Sequence, residues 1–386
     1  MSTDYGKILN ALPRPDLYDS WELVKRHMPI EQPPSAASYI VFQKGGQCYA
    51  KNGMTGHIEF GPGDAYTVIQ SVINALPSRG GDVYFKPDVY ILNNFIVVNK
   101  VGVNLRGTFW RGIDVGGYRG SVVFKMANGA NLDRILSVEN WSCLVENIVL
   151  DGGGQTGGAG VGLLYVGGGD NVIRNVAVFN SYNRGISAGG HANEYINVAA
   201  EYCSNIGWQI SNSDECVYID CHSASNTGTA GWGVWFTGNS KYNRFVGFKS
   251  CLNGKDGWTI ESLSTDIPML NTFIGCVATN NKWHGFHIKG TVKNTFIGCV
   301  IANNSQEANN TYSGVYLEAS SYSNSVNNIF EGNEIHSTTT NKQKYGIYEV
   351  DANQDYNIYL GNIISGMATG SIIKQGVNSI SEHNIT

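Results

Sequence analysis

Apolar and polar residues alternate in short runs along most of this chain, and the runs recur at a nearly fixed distance. Alternation with a period of two marks half-buried strands, and recurrence marks a repeat architecture. The clearest case is Asn271-Thr272-Phe273-Ile274-Gly275-Cys276-Val277, which returns letter for letter 23 residues later as Asn294-Thr295-Phe296-Ile297-Gly298-Cys299-Val300. Loosened to a pattern, the box is Asn or Cys, any residue, a large apolar residue, any residue, then Gly, Asn or Asp. It starts at Cys143, Asn171, Asn193, Cys216, Asn243, Asn271, Asn294, Asn328 and Asn357. A second box follows each copy, a Gly that leads into alternating apolar residues: Gly162, Gly185, Gly207, Gly233, Gly257, Gly285, Gly314, Gly346 and Gly370.

From box start to second-box Gly the interval is 14 residues in the coils that begin at Asn171, Asn193, Asn243 and Asn271. Insertions lengthen others, so the coil is the fixed unit and the loops vary, as in a solenoid. A minimum of 22–23 residues holding short strands is too small for a helical hairpin repeat and suits one turn of a parallel β-helix. Alternation then assigns faces. In the first box, positions two, five and seven past the start point inward. Position two carries Tyr195, Tyr218, Phe245, Phe273, Phe296, Phe330 and Tyr359. These rings read as a sugar-stacking ribbon or as a core ladder. The core is favoured, because the other register buries His222, Lys249 and Glu334.

In the second box, positions one and three after the Gly read inward and positions two and four outward. The outward pairs are Gln209/Ser211, Trp235/Thr237, Thr259/Glu261, His287/Lys289, Tyr316/Glu318 and Tyr348/Val350. Aromatic faces stack on sugar rings while polar groups bond hydroxyls, so Gln209, Trp235, Thr259, His287, Tyr316 and Tyr348 form a candidate substrate-binding row. Glu261, Lys289 and Glu318 form a candidate catalytic column, the two glutamates lying two coils, about 9–10 Å, apart along the stack. That is near the spacing for inverting glycoside hydrolysis. The competing reading is a charge ladder on a solvated sheet, in which the lysine holds both carboxylates ionised.

The insertions Asp151 to Gly160, Ser223 to Gly231, Ser305 to Ser313 and Thr338 to Tyr345 all enter after the first box. Ser262 to Leu270 and Ala319 to Val326 enter after the second. They read either as walls of a groove or as neutral insertions.

Upstream of the repeat the pattern changes. Tyr39-Ile40-Val41-Phe42, Cys48-Tyr49-Ala50 and His57-Ile58-Glu59-Phe60, separated by Lys44-Gly45-Gly46-Gln47 and by Asn52-Gly53, predict a three-stranded meander. Asp64 then caps a helix whose apolar face carries Val68, Ile69, Val72, Ile73 and Leu76, ended by Gly80-Gly81. A strand Asp82-Val83-Tyr84-Phe85-Lys86 follows. Residues 1–35 hold prolines at 13, 15, 29, 33 and 34, with Leu17, Trp21, Val24 and Met28 on one helical face. That helix either docks a partner or packs on its own domain. The division expected is 1–35 an attachment segment, 36–80 meander plus helix, and 81–386 the parallel β-helix.

The helix Ala-x-x-Val-Ile-Gln-x-x-Ile-Asn-Ala, the Gly-Gly-Asp-Val-Tyr-Phe strand and the Tyr-x-Leu strand after it resemble the opening of pectate-lyase-like right-handed parallel β-helices. The preceding hairpin is similar to one found before such β-helices in archaeal and archaeal-virus proteins. The resemblance implies an all-β, single right-handed β-helix over about residues 38–380, with the helix covering the open N-terminal end. It is poor for activity, because the superfamily holds lyases, glycosidases, epimerases, phage tailspikes and non-catalytic adhesins. Motifs of its catalytic members are missing. Gly190-His191-Ala192 and His287-Ile288-Lys289 stand without their companions, and no outward column clusters acidic calcium ligands.

Composition narrows the reading further. The 386 residues include 48 Gly and only 9 Pro, with 15% charged residues, which suits many tight turns between short strands. Net charge is −5 without a basic run, so no nucleic-acid footprint is expected. No apolar stretch is long enough to span a membrane, and Met1-Ser2-Thr3-Asp4-Tyr5 lacks a signal peptide's opening. The 8 cysteines lie in repeat columns (Cys221, Cys276 and Cys299 five past the box start, Cys143 and Cys216 at it) without any C-x-x-C pair. Reduced structural thiols are expected, with no metal and no cofactor. Two functions remain open. One is a virion or cell-surface spike that binds a polysaccharide or glycoconjugate, as a homotrimer through Val277, Val300 and Ile363, with residues 1–35 holding a virion or surface partner. The other is a polysaccharide lyase or hydrolase acting through Glu261, Lys289 and Glu318 on an acidic polysaccharide.

Overall fold

The residue five along each first box decides the path of the backbone. Asn147, Asn175, Asn197, Asp220, Gly247, Gly275, Gly298, Gly332 and Gly361 all adopt left-handed backbone, with φ between 49° and 64°. Gly, Asn and Asp are the residues that enter this region at least cost, which explains why the box admits only those three. At this corner the strand Thr272–Ile274 turns into Val277–Thr279, and the same corner recurs coil after coil.

The computed structural model describes residues 37–108, 120–153, 155–157, 160, 162–228 and 230–386. The expected attachment segment, 1–35, lies outside them. Within them the strands form one sheet of 23 strands and one of 11, with pairing parallel throughout the coils and a single α-helix. From the coil of Cys216 onward each full coil supplies two strands, before and after the left-handed corner, to the larger sheet, whereas in the coils of Cys143, Asn171 and Asn193 one strand runs through the corner; each coil adds one strand to the smaller sheet. The chain is a parallel β-helix.

Its interior is a set of uniform stacks. The rings of Tyr195, Tyr218, Phe245, Phe273, Phe296 and Phe330 stack in sequence at 4.5–4.7 Å, and Tyr359 adds a further ring 5.6 Å from Phe330. All are fully buried. The spacing is that of neighbouring strands, so parallel registration of identical positions forces ring onto ring.

The box-start asparagines do different work. Asn243 donates its backbone N–H and its side-chain Nδ2 to Asn271 Oδ1, at 3.0 and 2.9 Å. Asn271 does the same to Asn294 at 3.1 and 3.0 Å. The ladder satisfies polar groups that have no water to turn to. Cys216 stands in it as an acceptor, its Sγ 3.3 Å from Asn193 N, so the cysteine there is more than an apolar filler. A second ladder runs Asn226, Asn253, Asn281, Asn304 and Gln343, all buried. The cysteines are all free thiols, and all are buried except Cys251.

The meander forms as Tyr39–Lys44, Gln47–Asn52 and Ile58–Gly63, antiparallel. Asp64 Oδ1 accepts the Thr67 N–H at 3.0 Å, and the helix runs Ala65–Ala75. It ends before Pro77, earlier than the Gly80-Gly81 stop expected, because proline has no N–H to continue the ladder. Val68, Ile69, Val72 and Ile73 are buried against the meander and the first strands of the coils.

One inward position departs from the apolar rule. Glu349 stands where preceding coils hold apolar residues such as Leu317, Ile288, Ile260 and Phe236, and is fully buried. Its carboxylate accepts from Tyr359 Oη, Ser379 Oγ, Asn357 Nδ2 and the backbone amides of Gln375 and Gly376, at 2.7–3.1 Å. Five donors replace the water the carboxylate loses on burial.

Candidate functional site

Strict alternation would place the residue before a second-box Gly inside. Before Gly233, Gly257, Gly285, Gly314 and Gly346 the structure places it outside. A Cβ on Gly233 would stand 2.0 Å from Ser250 Oγ and 2.4 Å from Asn253 Nδ2, so this glycine already faces the interior. Val234, the next residue, faces the interior as well. Gly257 repeats the arrangement, its Cβ position 2.6 Å from Asn281 Nδ2 and 2.8 Å from the Gly285 carbonyl. Two consecutive inward residues shift the phase, and the preceding position joins the outer face. A third outward row appears there: Trp232, Asp256, His284, Ser313 and Tyr345. The sequence reading missed this row. The glycine itself was the available signal, since a residue kept free of a Cβ inside a strand marks close approach or a bulge.

The added row completes a connected cluster on the smaller sheet, across strands Trp232–Thr237, Trp258–Glu261, Phe286–Lys289, Val315–Glu318 and Tyr345–Glu349. Asp256 is buried. It accepts from the His284 N–H at 2.9 Å, Thr259 Oγ1 at 3.1 Å and His287 Nδ1 at 3.2 Å. His287 Nε2 donates in turn to Glu318 Oε1 at 3.0 Å. Lys289 Nζ lies 3.7 Å from Glu318 and 3.9 Å from Glu261, and Glu261 Oε1 accepts Trp235 Nε1 at 2.7 Å. The register Glu261–Lys289–Glu318 is the column expected from the spacing.

Electrostatics locks these groups in place. Burial alone would lower the His287 pKa, but its two carboxylate partners raise it to about 9. Glu318 is lowered, chiefly by the His287 hydrogen bond, and then by Lys289. Asp256 is pushed upward by burial, yet its bonds to His287 and His284 bring it below the ordinary carboxylate value. His284 is lowered to about 4 by burial, against the pull of Asp256. It accepts the Ser313 N–H on Nδ1 at 2.9 Å, so its proton resides on Nε2. At neutral pH the cluster holds two ionised carboxylates, an imidazolium and a neutral imidazole.

Aromatic rings surround this polar line. His284 stacks on Tyr316 at 4.3 Å and meets Tyr312 edge-on at 5.2 Å. Tyr312 stacks on Trp283 at 5.4 Å, Trp232 packs on Trp235 at 5.5 Å, and Tyr348 touches both Tyr316 and Tyr345. Lys255 Nζ lies over Trp232 and Trp283, at 5.3 and 4.7 Å. Tyr312 comes from the Ser305–Ser313 insertion, and Glu307 of the same insertion accepts Trp283 Nε1. That insertion therefore stands beside the cluster.

The expected row divides accordingly. Trp235, His287, Tyr316 and Tyr348 are half-buried, with surface left to meet a ligand. Gln209 is half-buried one coil before Trp235 and accepts Ser187 Oγ at 3.4 Å. Thr259 differs from the rest of the row. It faces outward but is only 3% exposed, because its neighbours close over it, and its hydroxyl is given to Asp256. That bond helps to position Asp256.

No protein-family model matches the chain, and no curated protein sequence does. Solved structures do match. The A-module of Azotobacter vinelandii mannuronan C-5 epimerase AlgE6 superposes with TM-score 0.62 and 16% identity, over 84% of this chain and 95% of the module. The pectate lyase Pel9A gives TM-score 0.53 and 15% identity, over 86% of this chain and 76% of the lyase. The Dettilon tailspike protein gives 0.58 and 15%, over 80% of this chain and 65% of the tailspike. At such identities the likeness concerns the backbone path, and the chain has the pectate-lyase-like parallel β-helix fold.

Proposed function

We propose that this protein binds a polysaccharide or glycoconjugate along the outer face of the smaller sheet, as a spike or fibre protein of a virion or cell surface. The observation that carries this reading is the strip itself. Half-buried Trp and Tyr rings line a row of carboxylates, imidazoles and amines already fixed by mutual bonds, the division between stacking and hydroxyl recognition that a sugar chain requires. Rigid aromatic side chains lose little entropy on contact.

The same electrostatics argues for binding over turnover. General acid–base catalysis needs a group that titrates near the working pH. His287 sits at about 9 and His284 at about 4, while Glu318 and Asp256 are held ionised. Glu318 is thus in the wrong state to serve as the general acid of a hydrolase built on Glu261, Lys289 and Glu318.

In this reading the coils wind right-handed and the helix Ala65–Ala75 covers the N-terminal end of the stack. Residues 1–35 attach the protein to its particle or surface. Trimers form through the outer face that includes Val277, Val300 and Ile363, the last 50% exposed, with Glu334 in register between Val300 and Ile363. Among the described residues no helix is long and apolar enough to cross a membrane.

A glycan array read together with a turnover assay tests the proposal. Binding without new reducing or unsaturated ends, weakened by Trp235→Ala and by Tyr316→Ala, is the expected result. Turnover abolished by Glu318→Gln would replace it with the lyase or hydrolase reading. Absence of binding to every neutral and acidic glycan would overturn both. Light scattering tests the trimer separately, and a monomer refutes that part.

A further inference from the structure

On the larger sheet, away from the aromatic strip, three coils bring a thiol, an imidazole and a carboxylate into line. Cys251 Sγ lies 3.3 Å from His222 Nε2, and His222 Nδ1 lies 3.1 Å from Glu201 Oε1. The register explains the meeting. Glu201, Ala224 and Cys251 occupy one outward column on successive strands, and His222 occupies the adjacent column on the middle strand. Alanine between Glu201 and Cys251 leaves room for the His222 ring to turn into the gap and touch both. We propose that Cys251 is a nucleophilic thiol, activated by His222 and oriented through Glu201, that forms mixed disulfides with small disulfides.

The remaining seven cysteines are buried, whereas Cys251 is partly exposed, so a reagent reaches only this sulfur in the folded protein. The side chains of His222 and Glu201 are 33% and 24% exposed, so the three groups lie at the surface of the sheet. The thiolate is the reactive species, and a neighbouring imidazolium favours it. His222 suits that role: its pKa is raised to about 9, first by Cys251 and then by Glu201, against the effect of burial. The charged and uncharged neighbours agree. Lys249, in register with His222 on the next strand, adds positive charge. Thr279 beside Cys251, Ala199 beside His222 and Phe179 beside Glu201 add none.

In the reaction, the Cys251 thiolate attacks one sulfur of the disulfide. A new S–S bond forms to Cys251 as the old one breaks, and the departing thiolate takes its proton from the His222 imidazolium. His222 is left neutral, and no outside oxidant is needed. The arrangement is independent of the glycan reading, since it lies on a different sheet and shares no residue with the strip.

Alkylation kinetics with iodoacetamide test the activation, and oxidised glutathione with intact-mass analysis tests the product. An unassisted thiol is about 0.3% thiolate at pH 6 and about 75% at pH 9, a difference of about 200-fold in rate. For the wild-type protein the fall in rate from pH 9 to pH 6 is expected to be smaller than that. Oxidised glutathione is expected to add once, at Cys251, and not to Cys251→Ser. His222→Gln is expected to slow alkylation at pH 6 by about tenfold, because ionisation is lost while intrinsic nucleophilicity partly recovers. A wild-type rate that drops about 200-fold from pH 9 to pH 6 overturns the proposal without any variant. So does an unchanged rate in a folded His222→Gln protein.

Discussion

Replacing His287 with Gln offers a quantitative check on the electrostatics of the strip. In the folded chain this imidazole titrates at about 9, against an ordinary value of 6.5. The folded value lies above the unfolded one, so the stabilisation is complete below about pH 6.5 and is lost as pH rises through about 9. Each pH unit between the two values corresponds to about 1.4 kcal/mol, which gives about 3 kcal/mol for His287. Breaking a buried charge pair by removing one partner has a similar cost, about 3–5 kcal/mol, because Asp256 and Glu318 then face each other without a cation between them. For 386 residues, with an unfolding entropy of about 2.1 cal/mol/K per residue, 3 kcal/mol corresponds to a Tm change of about 4 °C. The assay is thermal unfolding of wild type and His287→Gln from pH 6 to pH 10. The variant should melt about 4 °C lower at pH 6.5, and the two curves should converge above pH 9. Curves that run parallel across that window refute the reasoning, because they would show that His287 titrates alike in the folded and unfolded chains.

The neighbouring imidazole predicts the opposite limb. His284 titrates at about 4 when folded, so its contribution is complete above about pH 6.5 and is lost as pH falls toward 4; His284→Gln should flatten the acid side of the same Tm profile. Phe273→Ala removes a fully buried ring stacked on both sides, and should cost about 3–5 kcal/mol in chemical denaturation. Two glycines separate strain from space. Gly275 has φ +58° with no atom within 4 Å of its Cβ position, whereas Gly257 has a side-chain nitrogen at 2.6 Å and a carbonyl at 2.8 Å. Ala at 275 should cost about 1 kcal/mol, for left-handed backbone alone. Ala at 257 should cost more and move His284 and His287, visible as altered imidazole shifts in NMR. Finally, Trp235→Ala should weaken binding of a glycan ligand about tenfold by calorimetry, about 1.4 kcal/mol.

The sequence by itself determined the coil. A repeated box with a large apolar residue at its third place and Gly, Asn or Asp at its fifth dictates stacked parallel strands turning at a left-handed corner, because both requirements are local and recur at each rung. It likewise placed Glu261, Lys289 and Glu318 in one column, since parallel registration carries equal positions onto one another. The tertiary structure alone decided which groups share the site. Asp256 and His284 reach the outer face because Gly257 and Gly285 turn inward against side chains of the next coil, Asn281 and Ile301 respectively, and strand alternation carries no record of that contact. Tyr312 arrives on an insertion whose length was legible but whose path was not. Thr259 was assigned the correct face, yet exposure depends on the bulk of its neighbours. Cys251 meets His222 and Glu201 across strands because Ala224 leaves a gap, a packing event among three coils. Periodicity fixes direction along one strand, whereas contact and charge depend on what the adjacent coils put beside it.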